Sequence, residues 1–325
     1  MQTQPHAGNS TRLSTELNRS AYLRMHHDPE GVSDIDTIKE LILLIVPIMP
    51  YTLKGRRVLV AAGSRGLGAM ICEKFAGEGC HIMVNYVSRE DRAKEVVEKV
   101  RSFGVQAFMI KGDAGIAEDN VRMVKETVEK LGGLDIIIAN AGWTRFSDFK
   151  DLHALSHDDW NKCWAVNVMS HLQLMQVAAP IFNANANAEG GVYLVTSSIA
   201  GSTQTGSSMA YSTTKAAGLH LMKCLAATQG PKIRVNAILP GQLLTDWGMQ
   251  FSDEQIEAEK RQAVLRHEVT AGPVDLESLQ LIVPVVQTFL DDCADAYVSA
   301  AKNTSMTGQE ITVDAGLTSA WSAGQ

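Results

Sequence analysis

From Arg57 onward, apolar runs of strand length alternate with longer amphipathic stretches, and no other feature limits the possible folds as strongly. The runs are RVLVAA (57–62), HIMVNYV (81–87), VQAFMI (105–110), LDIIIAN (134–140), GVYLVTS (191–197), KIRVNAIL (232–239) and EITVD (310–314). Helical patterns fill 66–79, 89–103, 117–131, 157–182, 209–229 and 285–302. Near-continuous apolar strands imply burial on both faces. Helices between them imply parallel pairing through right-handed crossovers. The expected product is an α/β fold: a doubly wound parallel sheet of about seven strands with helices on both faces, forming a single domain over 55–325.

Residues 1–54 read as an N-terminal extension. Its first 30 residues lack periodicity and read as disordered, and 34–46 suit a short helix capped by Ser33. The first 30 residues also lack a secretory signal. The run LILLIVPIMPY (41–51) is shorter than the roughly 20 residues a membrane span needs. It reads as a surface or subunit contact, and no integral membrane span is expected. A net charge of −7 with no basic block argues against nucleic acid as a partner. The five cysteines are scattered, without Cys-x-x-Cys spacing. That pattern suits buried thiols in the reducing cytoplasm rather than disulfides or a metal site.

The first strand runs into Ala61-Ala62-Gly63-Ser64-Arg65-Gly66-Leu67-Gly68, followed by a helix pattern. Glycines there let the backbone approach a pyrophosphate, and the helix N-terminus offers free N–H groups. Strand, turn and helix stand where a dinucleotide-binding, Rossmann-type fold needs them. The end of the second strand, Asn85-Tyr86-Val87-Ser88-Arg89, places Asn85 where NAD sites carry a carboxylate for the ribose. A carboxylate would repel a 2′-phosphate and Asn would not. With Ser64, Arg65, Ser88 and Arg89 as donors, the pattern favours NADP(H).

Tyr211 and Lys215 form Tyr-x-x-x-Lys in a helical stretch, so both lie on one face. A nearby ammonium favours the phenolate and lowers the tyrosine pKa, which equips Tyr211 to exchange a proton with a carbonyl or alcohol oxygen. Ser198 follows a buried strand at the carboxyl edge of the sheet, where a hydroxyl can hold that oxygen. Asn167, polar among apolar neighbours, is either a structural plug or the holder of a relay water.

In this order the features resemble the short-chain dehydrogenase/reductases, in the subgroup with fungal hydroxynaphthalene reductases and ketoacyl carrier-protein reductases. The resemblance covers about residues 53–320. It implies a catalytic tetrad of Asn167, Ser198, Tyr211 and Lys215. It also implies cofactor contacts from the glycine turn (Gly63, Gly66, Leu67 and Gly68), Tyr86, Asp113 toward adenine, Asn140-Ala141-Gly142, Tyr211 and Lys215. Pro240, Gly241, Leu243 and Thr245 would lie in the loop over the nicotinamide. Ala61 and Ala62 replace the family's threonine and first glycine, which should alter hydrogen bonding in the turn. A homodimer or homotetramer is implied by resemblance alone.

The match weakens near 267–289 (HEVTAGPVDLESLQLIVPVVQTF), which reads as an insertion that covers the site, docks on a neighbouring subunit, or arises from gene processing. Trp143, Phe146, Phe149, Leu243, Trp247 and Met249 are available to a pocket over 142–151, 198–211 and 243–270, which suggests an apolar or aromatic ketone. The expected activity is hydride transfer between NADP(H) and a small-molecule carbonyl or secondary alcohol. The alternatives are a cofactor-binding regulatory protein and a different reaction, such as imine reduction, on the same fold.

Overall fold

The computed structural model describes residues 51–186, 190–243, 245–265 and 289–323. Residues 1–50, with the expected helix over 34–46, and nearly all of the inserted segment lie outside the described residues. Seven parallel strands form one sheet: β1 (Arg57–Val60), β2 (His81–Tyr86), β3 (Ala107–Lys111), β4 (Ile136–Ala139), β5 (Gly191–Thr196), β6 (Ile233–Pro240) and β7 (Glu310–Val313). Their order is β3-β2-β1-β4-β5-β6-β7. The chain first builds outward through β2 and β3, then returns to place β4 on the other side of β1. This reversal opens a crevice at the carboxyl ends of β1 and β4.

Strand alternation divides the core in two. Val58, Val60, Ile136, Ile138, Val192 and Leu194 face one side, against helices α1 (Gly66–Gly77) and α2 (Glu90–Arg101). Leu59, Ile137, Tyr193 and Val195 face the other, against α3 (Ala117–Leu131). Helix α4 (His157–Trp164) starts at a capping box formed by Ser156 and Asp159. A π-turn (Ala165–Met169) joins it to α5 (Ser170–Ala184). Helix α6 (Met209–Gln229) lies beside α5 on the second face. Helix α7 (Asp253–Gln262) follows β6. Helix α8 (Leu290–Lys302) returns to the first face, and α9 (Leu317–Ala323) closes the described chain.

Two details anchor the sheet. Arg57 Nε donates to Asp135 Oδ2 at 2.7 Å and Nη2 to Oδ1 at 3.0 Å, tying the starts of β1 and β4 together. One compact unit runs from Tyr51 to Gln325. Tyr51 and Leu53 are each 2% exposed within the β1 core, and the Arg56 guanidinium stacks 4.4 Å above the Tyr51 ring. Among the described residues no helix is long and apolar enough to cross a membrane.

Candidate active site

The turn after β1 is held in a form that leaves main-chain donors open. Gly66 has φ +52°, a conformation that L side chains avoid. A Cβ on Gly68 would stand 2.2 Å from the Ala62 carbonyl oxygen, so only glycine lets α1 start this close to the turn. The first helical hydrogen bond runs from Ala69 N to Arg65 O at 3.2 Å. The N–H groups of Gly66, Leu67 and Gly68 precede it. The helix start carries no side-chain cap and no acidic residue in its first turn. Free donors on the positive end of a helix dipole, in a cradle that a Cβ would fill, fit a pyrophosphate.

Ala62 has a consequence that the sequence only hinted at. Its φ is +51°, the left-handed region where a Cβ is strained. Two asparagines hold it there. Asn85 Oδ1 accepts from Ala62 N at 2.9 Å, and Asn140 Nδ2 donates to the carbonyl oxygens of Ala61 and Ala62 at 3.2 Å each.

This changes the reading of Asn85 as a nucleotide contact. Its side chain is 1% exposed and faces into the protein, where Nδ2 donates to Gly112 O at 3.0 Å and Ile110 O at 3.3 Å. Asn85 braces the cradle from behind, between β1 and β3, and is not among the residues that line the cleft. Gly63 N donates to Asn85 O at 2.8 Å in the same brace. Tyr86 is buried at the strand end with its hydroxyl hydrogen-bonded to Glu90. Ser64 is half-buried, and Ser88 and Arg89 are exposed. Asp113 is half-buried, and its Oδ1 accepts from Gly115 N at 2.8 Å.

The basic rim differs from the sequence reading in one member. Arg89 is paired with Asp91, with Nη2 to Oδ2 at 2.7 Å. Arg65 Nη1 lies 3.2 Å from Asp246 Oδ2, and Arg92 Nη1 lies at the same distance from that same oxygen. The arginine that converges with Arg65 is therefore Arg92, which sequence reading passed over. Arg92 stands inside a charged helix, and only its spacing from the strand end marked it.

The floor is built around Asn167, which lies in the π-turn and is fully buried. Its Oδ1 accepts from Trp143 N at 2.9 Å, and its Nδ2 donates to Trp143 O and Thr214 Oγ1 at 3.0 Å each. The amide thus clamps the segment after β4 to α6, one residue from Lys215. π-turns recur where a functional group must be re-aimed. One turn further on, His171 is buried; burial first and Lys215 second push its pKa down to about 3, so it stays neutral.

Helix α6 starts at Ser208, whose hydroxyl caps the N–H of Tyr211. Lys215 is 3% exposed, and its Nζ donates to Thr196 O at 2.7 Å and sits 5.5 Å from the Tyr211 ring centre. Burial lowers its pKa to about 8. Burial also raises Tyr211 above its ordinary value, and a hydrogen bond with Ser198 only partly offsets that. Burial dominates, in contrast to the lowering by Lys215 expected from the sequence. At neutral pH Tyr211 is a phenol hydrogen-bonded to Ser198, the form of a proton donor. Ser198 Oγ in turn accepts from Ala200 N at 3.1 Å.

These groups open into one cleft of about 260 Å³. Arg65, Gly66, Leu67, Gly68, Asn140, Gly142, Pro240, Gly241, Leu243 and Thr245 line it together with Ser198, Tyr211 and Lys215. Gly63, Ser64, Asn85, Tyr86, Ser88, Arg89, Asp113, Ala141 and Asn167 lie outside its lining, behind or beside it. Of the aromatic residues expected there, Trp247 lines the cleft and packs 5.5 Å from the Tyr211 ring. Phe146 stands edge-on to the lining residue Phe251 at 4.9 Å. Trp143 packs instead against the small cluster of Ala61, Ala114, Ala141 and Val166, and Met249 points out at 62% exposure. Phe251 and Glu259, inside the expected span 243–270 though not named individually, also line the cleft. The capping sequence Ser252-x-x-Gln255 was the available signal for the helix that carries Glu259.

The family model for short chain dehydrogenase matches residues 56–256. The chain is 30% identical over 265 residues to an L-rhamnose 1-dehydrogenase (NADP(+)) from Thermoplasma acidophilum, covering 81% of this chain and 96% of that one. It is 30% identical over 271 residues to a versicolorin reductase from Emericella nidulans, covering 82% and 97%. A crystal structure of a short chain dehydrogenase from Burkholderia cenocepacia in complex with NADP aligns with a TM-score of 0.70 at 27% identity, covering 82% of this chain and 99% of that one. With the motif order, the sheet topology and these matches in agreement, the chain belongs to the short-chain dehydrogenase family.

Proposed function

We propose that the protein is an NADP(H)-dependent oxidoreductase that reduces a ketone on an apolar or aromatic substrate. The observation that carries this reading is the convergence of Ser198, Tyr211 and Lys215 in one cleft with the uncapped start of α1. The NADP(H) assignment is supported by Arg65 and Arg92 at the rim, and by the NADP named for the Thermoplasma and Burkholderia relatives. In this reading Gly66–Gly68 hold the pyrophosphate, Thr245 the nicotinamide end, and the two arginines the 2′-phosphate.

NADPH, when bound, would supply the hydride that the carbonyl carbon accepts. Ser198 orients the carbonyl oxygen by hydrogen bonding. As the C=O pair moves onto that oxygen, the Tyr211 hydroxyl gives it a proton, leaving the secondary alcohol and a phenolate. The Lys215 ammonium stabilises the phenolate and lies on the route by which a solvent proton restores it. Trp247, Phe251 and Leu243 supply the apolar wall. Asn167 acts by position, holding Trp143 and Thr214 around the lysine. The cysteines are all free, which supports the cytoplasmic placement read from sequence.

Fluorescence titration with NADPH and NADH, followed by turnover of aromatic and cyclic ketones, tests the proposal. Preferential NADPH binding with ketone-dependent oxidation is the expected result. Equal binding of both nucleotides, or binding without turnover of any ketone, contradicts it.

A further inference from the structure

Helix α8 buries one large polar side chain among small ones. Its inner face carries Cys293, Ala294, Ala300 and Ala301, and Tyr297 between them is fully buried. A buried tyrosine hydroxyl needs a hydrogen-bond partner. Here the partner is the Thr196 hydroxyl at the end of β5, 2.7 Å away. Thr196 Oγ1 also lies 3.1 Å from Oδ1 of Asn140, just past the end of β4. Asn140 Nδ2 in turn reaches the carbonyl oxygens of Ala61 and Ala62, just past β1. One chain of hydrogen bonds thus runs from α8 across the carboxyl ends of β5, β4 and β1 to the glycine turn.

The direction of each bond follows from the groups. The Asn140 amide nitrogen faces two carbonyl oxygens, so the amide oxygen faces Thr196. An amide oxygen only accepts, so the Thr196 hydroxyl gives its one proton there. The Thr196 oxygen must then accept from Tyr297, which burial keeps protonated. With the amide turned over, its oxygen would face the Ala61 and Ala62 oxygens, and acceptors repel. The orientation matters because Ala62 is held at φ +51°, where a Cβ is strained. The same amide packs against the start of α1: a Cβ on Gly68 would stand 2.8 Å from Asn140 Nδ2.

We infer that Tyr297 is a positioning residue for the nucleotide: through Thr196 it fixes the Asn140 amide that keeps Ala62, and with it the pyrophosphate cradle, in the left-handed turn. The cradle serves a part common to NADPH and NADH, so binding of both should depend on Tyr297 alike. That separates Tyr297 from Arg65 and Arg92, which on the proposed reading select between the two. The inference rests on the reading that the start of α1 holds a pyrophosphate, and it adds a residue outside the cleft lining.

The test is fluorescence titration of the full chain with NADPH and with NADH. Tyr297→Phe keeps the ring and removes the hydroxyl. It should weaken both nucleotides by a similar factor of about five, the scale of one buried hydrogen bond. In Ala62→Gly the turn keeps its conformation without strain, and there Tyr297→Phe should weaken binding by less than about two-fold. Thr196→Val should weaken binding at least as much as Tyr297→Phe, and adding Tyr297→Phe to it should change nothing further. If Tyr297→Phe does not fold, Thr196→Val with and without Ala62→Gly tests the same chain of bonds. A tyrosine that only supports the fold would lower the urea midpoint and leave both affinities unchanged, or reduce them equally with and without Ala62→Gly. Either result, or a loss confined to NADPH, overturns the inference and leaves the nucleotide reading intact. A wild type that binds neither nucleotide overturns both.

Discussion

At the floor of the cleft, Asn167 and Lys215 are buried and their polar atoms are bonded to Trp143, Thr214 and Thr196. At its rim, Arg65, Arg92 and Asp246 are between 39% and 59% exposed and hold one another through ion pairs at 3.2 Å. Exposed ion pairs of this kind contribute at most about 1 kcal/mol. A phosphate can displace Asp246 from the arginines at little cost, whereas nothing replaces the bonds of the floor without leaving a buried group unpaired. On the proposed reading, the floor sets the chemistry and the rim sets which nucleotide is chosen. Mutations should separate the two cleanly.

The largest effect is expected at the floor. Lys215→Met should lower kcat by about 10³-fold, the scale of a lost acid–base partner, with nucleotide binding measured in parallel. In the wild type, kcat/KM for reduction should fall as pH rises through about 8, where Lys215 loses its proton. The same pKa has a stability signature. It lies at about 8 in the fold against an ordinary value of 10.5. Between those values the unfolded chain binds the proton and the folded chain does not, so this lysine's penalty shrinks as pH rises. Buried cysteines with raised pKa values lose stability over the same range in both proteins, so the lysine shows in the difference: from pH 8 to 10 the urea stability of the wild type should rise relative to that of Lys215→Met.

The rim should respond more gently and selectively. Arg65→Ala combined with Arg92→Ala should weaken NADPH binding by about 10- to 100-fold, as expected for lost charge-assisted bonds to a phosphate, and leave NADH binding nearly unchanged. Asp246→Asn should shift NADPH affinity the other way, by a few-fold. Equal losses for both nucleotides in the double variant would erase the distinction between rim and floor. The smallest effect is expected in the turn. Ala62→Gly should raise stability by about 1 kcal/mol in urea unfolding, because glycine adopts the left-handed conformation without strain.

Much of this architecture was legible before the structure. The seven apolar runs became seven parallel strands, and Tyr211, Lys215 and Ser198 meet in one cleft, because buried strands and helical spacing leave a local trace. What was hidden depends on the direction of side chains. Asn85 stands at the expected position but faces inward, toward Ala62 and Gly112. Arg89 is held by Asp91, while Arg92, a turn further along α2, shares a carboxylate with Arg65. The π-turn at Asn167 leaves no periodic signal, since one extra residue in a helical run looks like an ordinary helix. Glu259 lies inside the span 243–270 read from the sequence, but its place in the cleft lining shows only once the helix face is known.

The central claim is that Tyr211 donates the proton in a nucleotide-dependent reduction, and Tyr211→Phe tests it most directly. The variant keeps the ring against Trp247 and removes only the hydroxyl that bonds Ser198. NADPH oxidation with an accepted ketone should fall by at least about 10²-fold, while NADPH fluorescence titration gives an unchanged affinity. Full turnover by Tyr211→Phe with normal NADPH binding would contradict the account.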